Sequence, residues 1–409
     1  MPDRRLDAWK QLAQSEAVPL VTAAALVVDG GITPASVAGL RKSFPDAPVA
    51  EAIELAAARG RASGKFADPS TLMLDRAGLE QATSEVVAAW KAARFGAAPV
   101  LDLCCGIGGD AMALARRGPC TAVDRDPVRA WMAGVNAGVS VRTETVETTR
   151  IDHPLVHLDP ARRDESSGRR SWRLEDLVPD LDSIRRIVAE AEGGAVKLGP
   201  GLPRPTPELH ANQSLSIIAE HGRLVQAVVW TGTLARLEPC EAVDLPSGRT
   251  LSGSPEGFMV AGELEGAMLT FHPAIERLEL GVTALRAAFG ADASLAGEPA
   301  VGLGLVTIPL NAIESVSSDW FRAVRILEVL PPRPAGVASA LRARFGDTLG
   351  EVVVRTRAAA INVDAWSREF RRIPRTAGGP TVEVLGLRLG RKTVAIIAVP
   401  IDLHSSSTP

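Results

Sequence analysis

Three carboxylates stand where an apolar run gives way to a turn, and the residue types around them set the chemistry that could follow. The first is Asp102, in Ala97-Ala-Pro-Val-Leu-Asp-Leu-Cys-Cys-Gly-Ile-Gly-Gly-Asp110. Residues 99–103 read as a buried parallel strand, Gly106 and Gly108 allow backbone conformations closed to other residues, and residues 110–117 read as the helix that follows. A ligand can lie directly on such a backbone, which is how a nucleotide-type cofactor site begins. The second, Asp124, ends the strand Cys120-Thr-Ala-Val and is followed by Arg125. It lies about twenty residues beyond the glycines, where a carboxylate can take both hydroxyls of a ribose. The third, Asp159, follows Pro154-Leu-Val-His-Leu158 and opens Asp159-Pro-Ala-Arg-Arg163. Asp-Pro commonly ends a strand in a turn, so only its place after the fourth strand makes it a site residue.

Gly106-Ile-Gly108-Gly-Asp-Ala111 also fits the relaxed dinucleotide fingerprint, which keeps nicotinamide and flavin cofactors in view. Two charges favour S-adenosylmethionine (SAM) instead. A pyrophosphate would sit on the helix N-terminus, where Asp110 would repel it, whereas SAM carries no phosphate. Asp102, at the end of its strand, can face the amino group and sulfonium of a cationic methionyl moiety. Gln81 and Thr83, shortly before the first strand, could lie over that methionine end.

On these residues the chain resembles the class I SAM-dependent methyltransferases. In that family a glycine loop follows an acid, a second acid binds ribose, and a fourth strand ends in an Asp/Asn-Pro-Pro-aromatic motif. The match here is partial. Cys104 replaces the usual first glycine, and Thr145 stands where many members carry an acid for the adenine amine, with Glu144 and Glu147 as substitutes. The second proline and the aromatic are absent after Asp159-Pro160. The resemblance implies that the Asp159 side chain and the Pro160 carbonyl accept hydrogen bonds from a target amine. With no Tyr in the chain, stacking on a base would fall to Arg162 or Trp172. Methylation of a pyrimidine carbon would need a Cys near the fourth to sixth strands, and none is there, so a nitrogen or oxygen acceptor is preferred.

Arg162, Arg163, Arg169, Arg170 and Arg173 fall within residues 162–173, interleaved with Trp172. Arg forks pair with phosphates, so this cationic rim beside the Asp159 turn reads as a nucleic-acid contact. A solvated loop is the plain alternative, since only 6 of the 45 basic residues are Lys and arginine is favoured throughout.

The elements that must position these groups follow from pattern. Residues 1–95 carry helical spacing, with a start at Thr33-Pro34 and a break at 63–70, and predict an all-helical N-terminal domain whose last helix contains residues 80–95. Residues 96–250 alternate strand and helix as a doubly wound sheet requires, and His221-Gly222 between two apolar runs predicts an antiparallel closing hairpin. The Pro/Gly/Ser-rich stretch 246–257 reads as a linker or a hairpin loop, with a linker over 251–262 before the next unit. Residues 263–403 predict a small α+β domain: a helical stretch at 273–289, strands near 303–308 and 325–330, a helix at 335–345, a strand at 351–356, a helix at 364–372 and strands at 381–389 and 392–400. The pattern suggests a ferredoxin-like sandwich. Residues 404–409 read as a disordered tail.

With 409 residues, 46% of them apolar, and a net charge of −3, the chain has core enough for two or three domains and is not a general polyanion binder. Four cysteines, two adjacent, fit neither a disulfide framework nor a spaced zinc site. A metal is not expected, no membrane span is expected, and a reducing cytoplasm is. Residues 331–395 hold 12 Arg/Lys against 5 Asp/Glu, a local surplus that suggests an RNA-facing module.

The whole layout resembles a bacterial family of class I methyltransferases with a THUMP-like C-terminal domain. The matching features are Glu80-Gln-Ala-Thr-Ser-Glu85, the glycine turn, Leu158-Asp-Pro-Ala-Arg-Arg163 with Gly168-Arg-Arg170, and Val353-Val-Arg-Thr-Arg357. The resemblance implies an α/β Rossmann-like core between the helical and α+β parts, SAM as cofactor, and a tRNA or rRNA substrate. A small-molecule or protein acceptor, and a catalytically decayed RNA-binding scaffold, are the alternatives.

Overall fold

The computed structural model describes residues 4–162, 174–203, 205–258, 263–300, 302–313 and 316–403. Arg163, Arg169, Arg170, Trp172 and the 404–409 tail fall outside them. The chain divides into two compact units, Met1–Thr250 and Leu251–Pro409.

The first unit opens with helices α1 (Arg4–Leu12), α2 (Val18–Asp29), α3 (Pro34–Ser43), α4 (Val49–Arg61), α5 (Arg76–Gln81) and α6 (Glu85–Phe95). The start foreseen at Thr33-Pro34 is a capping box: Thr33 accepts from the Ser36 backbone, and the Ser36 side chain returns the bond. These helices are not a separate body. Trp9, Leu20, Leu55 and Leu74 share a buried cluster with Ile107 of the glycine turn and with Val128 and Met132 of the helix Pro127–Ala137.

Residues 80–95 are not one helix. α5 ends at Gln81, residues 82–84 break the chain, and α6 starts at Glu85. The cause is tertiary: the Lys65 ammonium donates to the carbonyls of Leu79 (2.7 Å), Glu80 (3.0 Å) and Ala82 (2.8 Å). That takes all three of its protons and satisfies the open end of α5.

Strands β1 (Val100–Leu103), β2 (Cys120–Asp124), β3 (Ser140–Thr143) and β4 (Leu155–Leu158) alternate with α7 (Gly109–Ala115) and α8 (Pro127–Ala137). A two-residue ribbon, β5 (Ala161–Arg162) with β6 (Leu177–Val178), and helix α9 (Leu181–Glu190) lead to β7 (Gly193–Leu198), β8 (Gln213–Glu220), β9 (Arg223–Gly232), β10 (Cys240–Leu245) and β11 (Arg249–Gly253). The nine-stranded sheet runs β11-β10-β8-β9-β7-β4-β1-β2-β3. β1 is parallel to both β2 and β4, and the chain order reverses between them. Such a switch point opens a crevice at the carboxyl ends of the strands.

Leu101, Leu103, Val156 and Leu158 are fully buried, each contributing about 1.5–3 kcal/mol. α8 begins as an Asp-Pro sequence should, with Asp126 accepting from the backbone of Val128 at 2.8 Å ahead of Pro127. The foreseen hairpin is present: β9 runs antiparallel to β7 and β8. It does not close the sheet, because β10 adds parallel to β8 and β11 follows. Of the two readings of residues 246–257, the hairpin loop is the one present at 246–248, between β10 and β11, and the linker expected from 251 begins in strand, since β11 reaches Gly253.

The second unit is a six-stranded sheet ordered β13-β12-β14-β17-β16-β15. It comprises β12 (Ala267–Phe271), α10 (Pro273–Leu278), α11 (Gly281–Phe289), β13 (Leu305–Ile308), β14 (Phe321–Leu330), α12 (Pro334–Phe345), β15 (Val352–Thr356), α13 (Val363–Phe370), β16 (Val382–Leu389) and β17 (Lys392–Ile401). The element pattern agrees with the sequence reading apart from β12, which that reading lacked. The ferredoxin-like expectation is corrected: that arrangement has antiparallel neighbours only, whereas β15 and β16 pair in parallel.

Candidate functional site

The glycine turn keeps the shape its motif demands although Cys104 replaces a glycine. Cys104 takes φ +57°, Gly106 +56° and Gly108 +87°, all in the left-handed region. Gly108 is required by packing, since a Cβ there would stand 2.9 Å from the Ala133 backbone of α8. Asp124 holds the turn from β2: its Oδ2 accepts from the Gly106 backbone and its Oδ1 from that of Asp126, both at 2.9 Å. Burial raises the Asp124 pKa above the ordinary carboxylate value, against the pull of those two backbone donors.

Above the strand ends lies a cleft of about 1030 Å³ lined by Gln81, Cys104, Asp124, Arg125, Asp159, Pro160, Lys197, Glu220 and Gln226, among others. A smaller cavity of about 480 Å³, between Phe66, Met112 and Asn136, has none of the strand-end carboxylates. Seven residues singled out in the sequence thus meet in one place: Gln81, Thr83, Cys104, Asp124, Arg125, Asp159 and Pro160. Gly106 and Gly108 shape the turn beneath them. Arg162 sits in the short ribbon after Pro160.

Two expected cofactor contacts are displaced. Asp102 does not line the cleft: it is fully buried, and its Oδ1 lies 2.7 Å from His157 Nδ1. The reason is register, because Asp102 and His157 are direct partners across β1 and β4 and their side chains share a face. Burial raises the Asp102 pKa, with His157 opposing the rise. Thr145 is exposed and pairs with Thr148 at 3.0 Å, away from the cleft lining, so it is not placed for the adenine amine.

Asp110 also departs from expectation. Its charge does not stand open at the head of α7; Lys91 Nζ donates to it at 2.7 Å and Thr83 Oγ1 at 2.6 Å. Burial opposes its ionisation, but Lys91, His157 and Lys197 outweigh it and hold Asp110 well below the carboxylate range. Lys91 Nζ also lies 3.3 Å from His157 Nε2, so Asp102, His157, Lys91, Asp110 and Thr83 form one buried chain. Burial lowers the Lys91 pKa despite Asp110.

The residues the sequence reading missed are those that hold the others. Lys197 Nζ donates to Asp159 Oδ2 at 2.6 Å, and although burial works against its charge, Asp159 and Asp110 raise its pKa. Ser84 Oγ donates to Glu220 Oε1 at 2.8 Å, and Gln226 Nε2 donates to Thr83 Oγ1 at 3.1 Å. A lone Lys inside Ala195-Val-Lys-Leu198 and a lone His inside Leu155-Val-His-Leu158 were the available signals, since a charged or polar group in an apolar strand needs a partner.

The match to known structures fits this architecture. A crystal structure from Porphyromonas gingivalis W83, of a protein provisionally assigned as a methyltransferase, aligns with a TM-score of 0.66 over 95% of this chain and 99% of that one, at 17% identity. The chain shares the fold of that protein. Two curated Mycobacterium tuberculosis sequences, MT3122 of strain CDC 1551 and Rv3037c of strain H37Rv, are each described as an uncharacterized S-adenosylmethionine-dependent methyltransferase. Each is 32% identical over 198 residues, 45% of this chain. The match spans about half the length of those relatives, 54%. No family model matches.

Proposed function

We propose that the chain is a SAM-dependent methyltransferase acting on a nitrogen of a tRNA or rRNA base, in the cytoplasm. The observation that carries the cofactor reading is the cover over α7. A Cβ on Gly109 would lie 3.2 Å from the Thr83 carbonyl, so residues 82–84 lie across the helix N-terminus on which a pyrophosphate would have to rest. A cofactor with ribose and a sulfonium but no phosphate suits what remains, a cleft lined by the Asp124, Asp159 and Glu220 carboxylates. The similarity to the mycobacterial proteins supports the same reading.

Asp124 would hold the ribose, the Cys104 and Gly106 backbone would face the methionyl part, and Gln81 and Arg125 would border it. When bound, SAM supplies a methyl group on an electron-poor sulfur. The chain's own work is to orient the acceptor and exclude water. Lys197 fixes Asp159 Oδ2, which leaves Oδ1 and the Pro160 carbonyl to accept from an acceptor N–H and direct its lone pair. A carbon acceptor is disfavoured by the cysteines. Burial and the neighbouring acids push the Cys104 thiol well above its ordinary pKa, and buried Cys240 begins β10, at the end of the sheet away from the cleft. The RNA assignment rests on the arginines of 162–173 and on the basic surplus of 331–395.

The test is transfer of tritium from labelled SAM to fractionated cellular RNA by the wild type and by Asp159→Ala, with RNase-treated RNA as control. Label in RNA, reduced at least about a hundredfold in the variant, is the expected result. Label that enters only protein or small molecules, or that ignores Asp159, would contradict it.

A further inference from the structure

Gln226 lines the cleft on the far side of Asp159 from the glycine turn. β9 follows β7 in the sheet with Leu198 opposite Ala227, so Gln226 stands just beyond the end of β7. The turn that carries Cys104 and the Asp124 strand lie on the other side of β4. Gln226 is 6% exposed, and its amide orientation is dictated by its neighbours. Asp110 faces Lys91 as its ion-pair partner, and Thr83 Oγ1 donates its only proton to Asp110 Oδ2 at 2.6 Å. The hydroxyl can then only accept from Gln226, which turns Nε2 toward Thr83 at 3.1 Å and Oε1 away from it. That oxygen is buried and receives no hydrogen bond from any described residue. Buried polar atoms are nearly always satisfied, and an exception in a cleft calls for a function.

We infer that Gln226 selects the methyl acceptor: it lines the same cleft as Asp159, and a small shift of its side chain brings the unpaired carbonyl to an N–H of the incoming group. The inference rests on the methyltransferase reading above and adds the hydrogen-bonding character of the substrate. The neighbouring groups agree with it. Glu220 and Asp159 line the same floor and are also acceptors, each with one oxygen fixed by a donor of the protein, Ser84 Oγ and Lys197 Nζ. A floor of oriented acceptors takes a group rich in N–H and leaves its own oxygens unpaired against a group that has none, which is how a hydrogen-bonding site rejects analogues most strongly. The chain Lys91–Asp110–Thr83–Gln226 makes the buried ion pair the part that sets the amide orientation.

The experiment compares wild type, Gln226→Met and Gln226→Glu, each checked for a native circular dichroism spectrum and melting transition. S-adenosylhomocysteine affinity is measured by calorimetry. Tritium transfer from SAM is measured into total extract of cells lacking the gene, later separated into RNA, protein and small molecules. Gln226→Met should bind S-adenosylhomocysteine within twofold of wild type while transfer falls tenfold or more, mostly through KM. Gln226→Glu in its acid form keeps both a donor for Thr83 Oγ1 and an acceptor oxygen, and assayed at pH 6 it should retain at least a third of wild-type transfer. Wild-type transfer by Gln226→Met overturns the inference, as does a loss of S-adenosylhomocysteine affinity parallel to the loss of transfer. If Gln226→Met does not fold, the glutamate variant decides alone, and a tenfold loss there overturns it. Label found in a fraction other than RNA refutes the RNA substrate while leaving the Gln226 comparison readable. No label in any fraction with wild type overturns both readings.

Discussion

Two charge clusters, one in each unit, both pair cations with carboxylates but differ in their access to water. Beneath the glycine turn, Lys91, His157 and Asp102 each keep 1% of their side chains exposed and Asp110 keeps 9%. In the second unit Glu383 is sealed at 4%, but its partners Arg322 and Arg355 remain 39% and 49% exposed. The first cluster carries its charges wholly inside, where an unpaired member is severely penalised. The second spends one buried carboxylate to orient two guanidiniums that still face solvent, where the pairing itself is weak and screened by salt. Sealed charges of the first kind fix the shape of a cleft. Wet arginines of the second kind remain available to a polyanion.

The largest consequence belongs to the sealed cluster. Lys91→Met leaves Asp110 as a buried charge without its ion and should cost about 3–5 kcal/mol in denaturant unfolding; a cost under about 1 kcal/mol would place both clusters in one class. Next comes the response to acid. Asp110 is held below its unfolded value, so its contribution is present above about pH 4, the unfolded carboxylate pKa, and is lost as pH falls through the lower folded value. Asp102 has the opposite sign: its raised pKa makes its ionised form a cost that acid relieves. Unfolding midpoints taken from pH 6 down to pH 2 should therefore decline more steeply in the wild type than in Asp110→Asn, by up to about 1.4 kcal/mol per pH unit. Equal slopes would mean that Asp110 titrates as an ordinary surface acid.

The smallest effect is expected in the open cluster. Arg355→Ala should change stability by no more than about 1 kcal/mol, since Arg322 still covers Glu383. If the exposed guanidinium contacts RNA, the same variant should lower the slope of log affinity against log salt by about one, read from filter binding between 50 and 200 mM salt. A marked loss of stability, or an unchanged slope, would remove the contrast between the clusters.

Much of the arrangement was legible because its signals are local. Thr33-Pro34, Asp126-Pro127 and the left-handed positions of the glycine turn announce themselves within a few residues. The chain order of strands and helices is enough to place Asp124 and Asp159 at the same edge of the sheet. What was not legible depends on partners far away in sequence. The break at 82–84 is set by Lys65 and by the approach to Gly109, not by helix propensity. The inward position of Asp102 follows from its register with His157, which a single strand does not disclose. Ala267–Phe271 is a short apolar run that periodicity alone does not assign to strand or helix. In the second unit the elements were readable, but their sheet order was not, because parallel pairing of β15 with β16 is a property of the crossovers. For the same reason Lys197 and Gln226 acquire meaning only from what they touch.

The central claim is that the carboxylate-lined cleft over β1, β2 and β4 holds SAM, and it can be tested before any acceptor is known. Calorimetric titration of S-adenosylhomocysteine into wild type and Asp124→Ala, with NADH as the competing cofactor class, tests it most directly. Micromolar binding of S-adenosylhomocysteine that falls at least about tenfold in the variant, with no heat from NADH, is the predicted result. Tighter binding of NADH, or S-adenosylhomocysteine binding indifferent to Asp124, would contradict it.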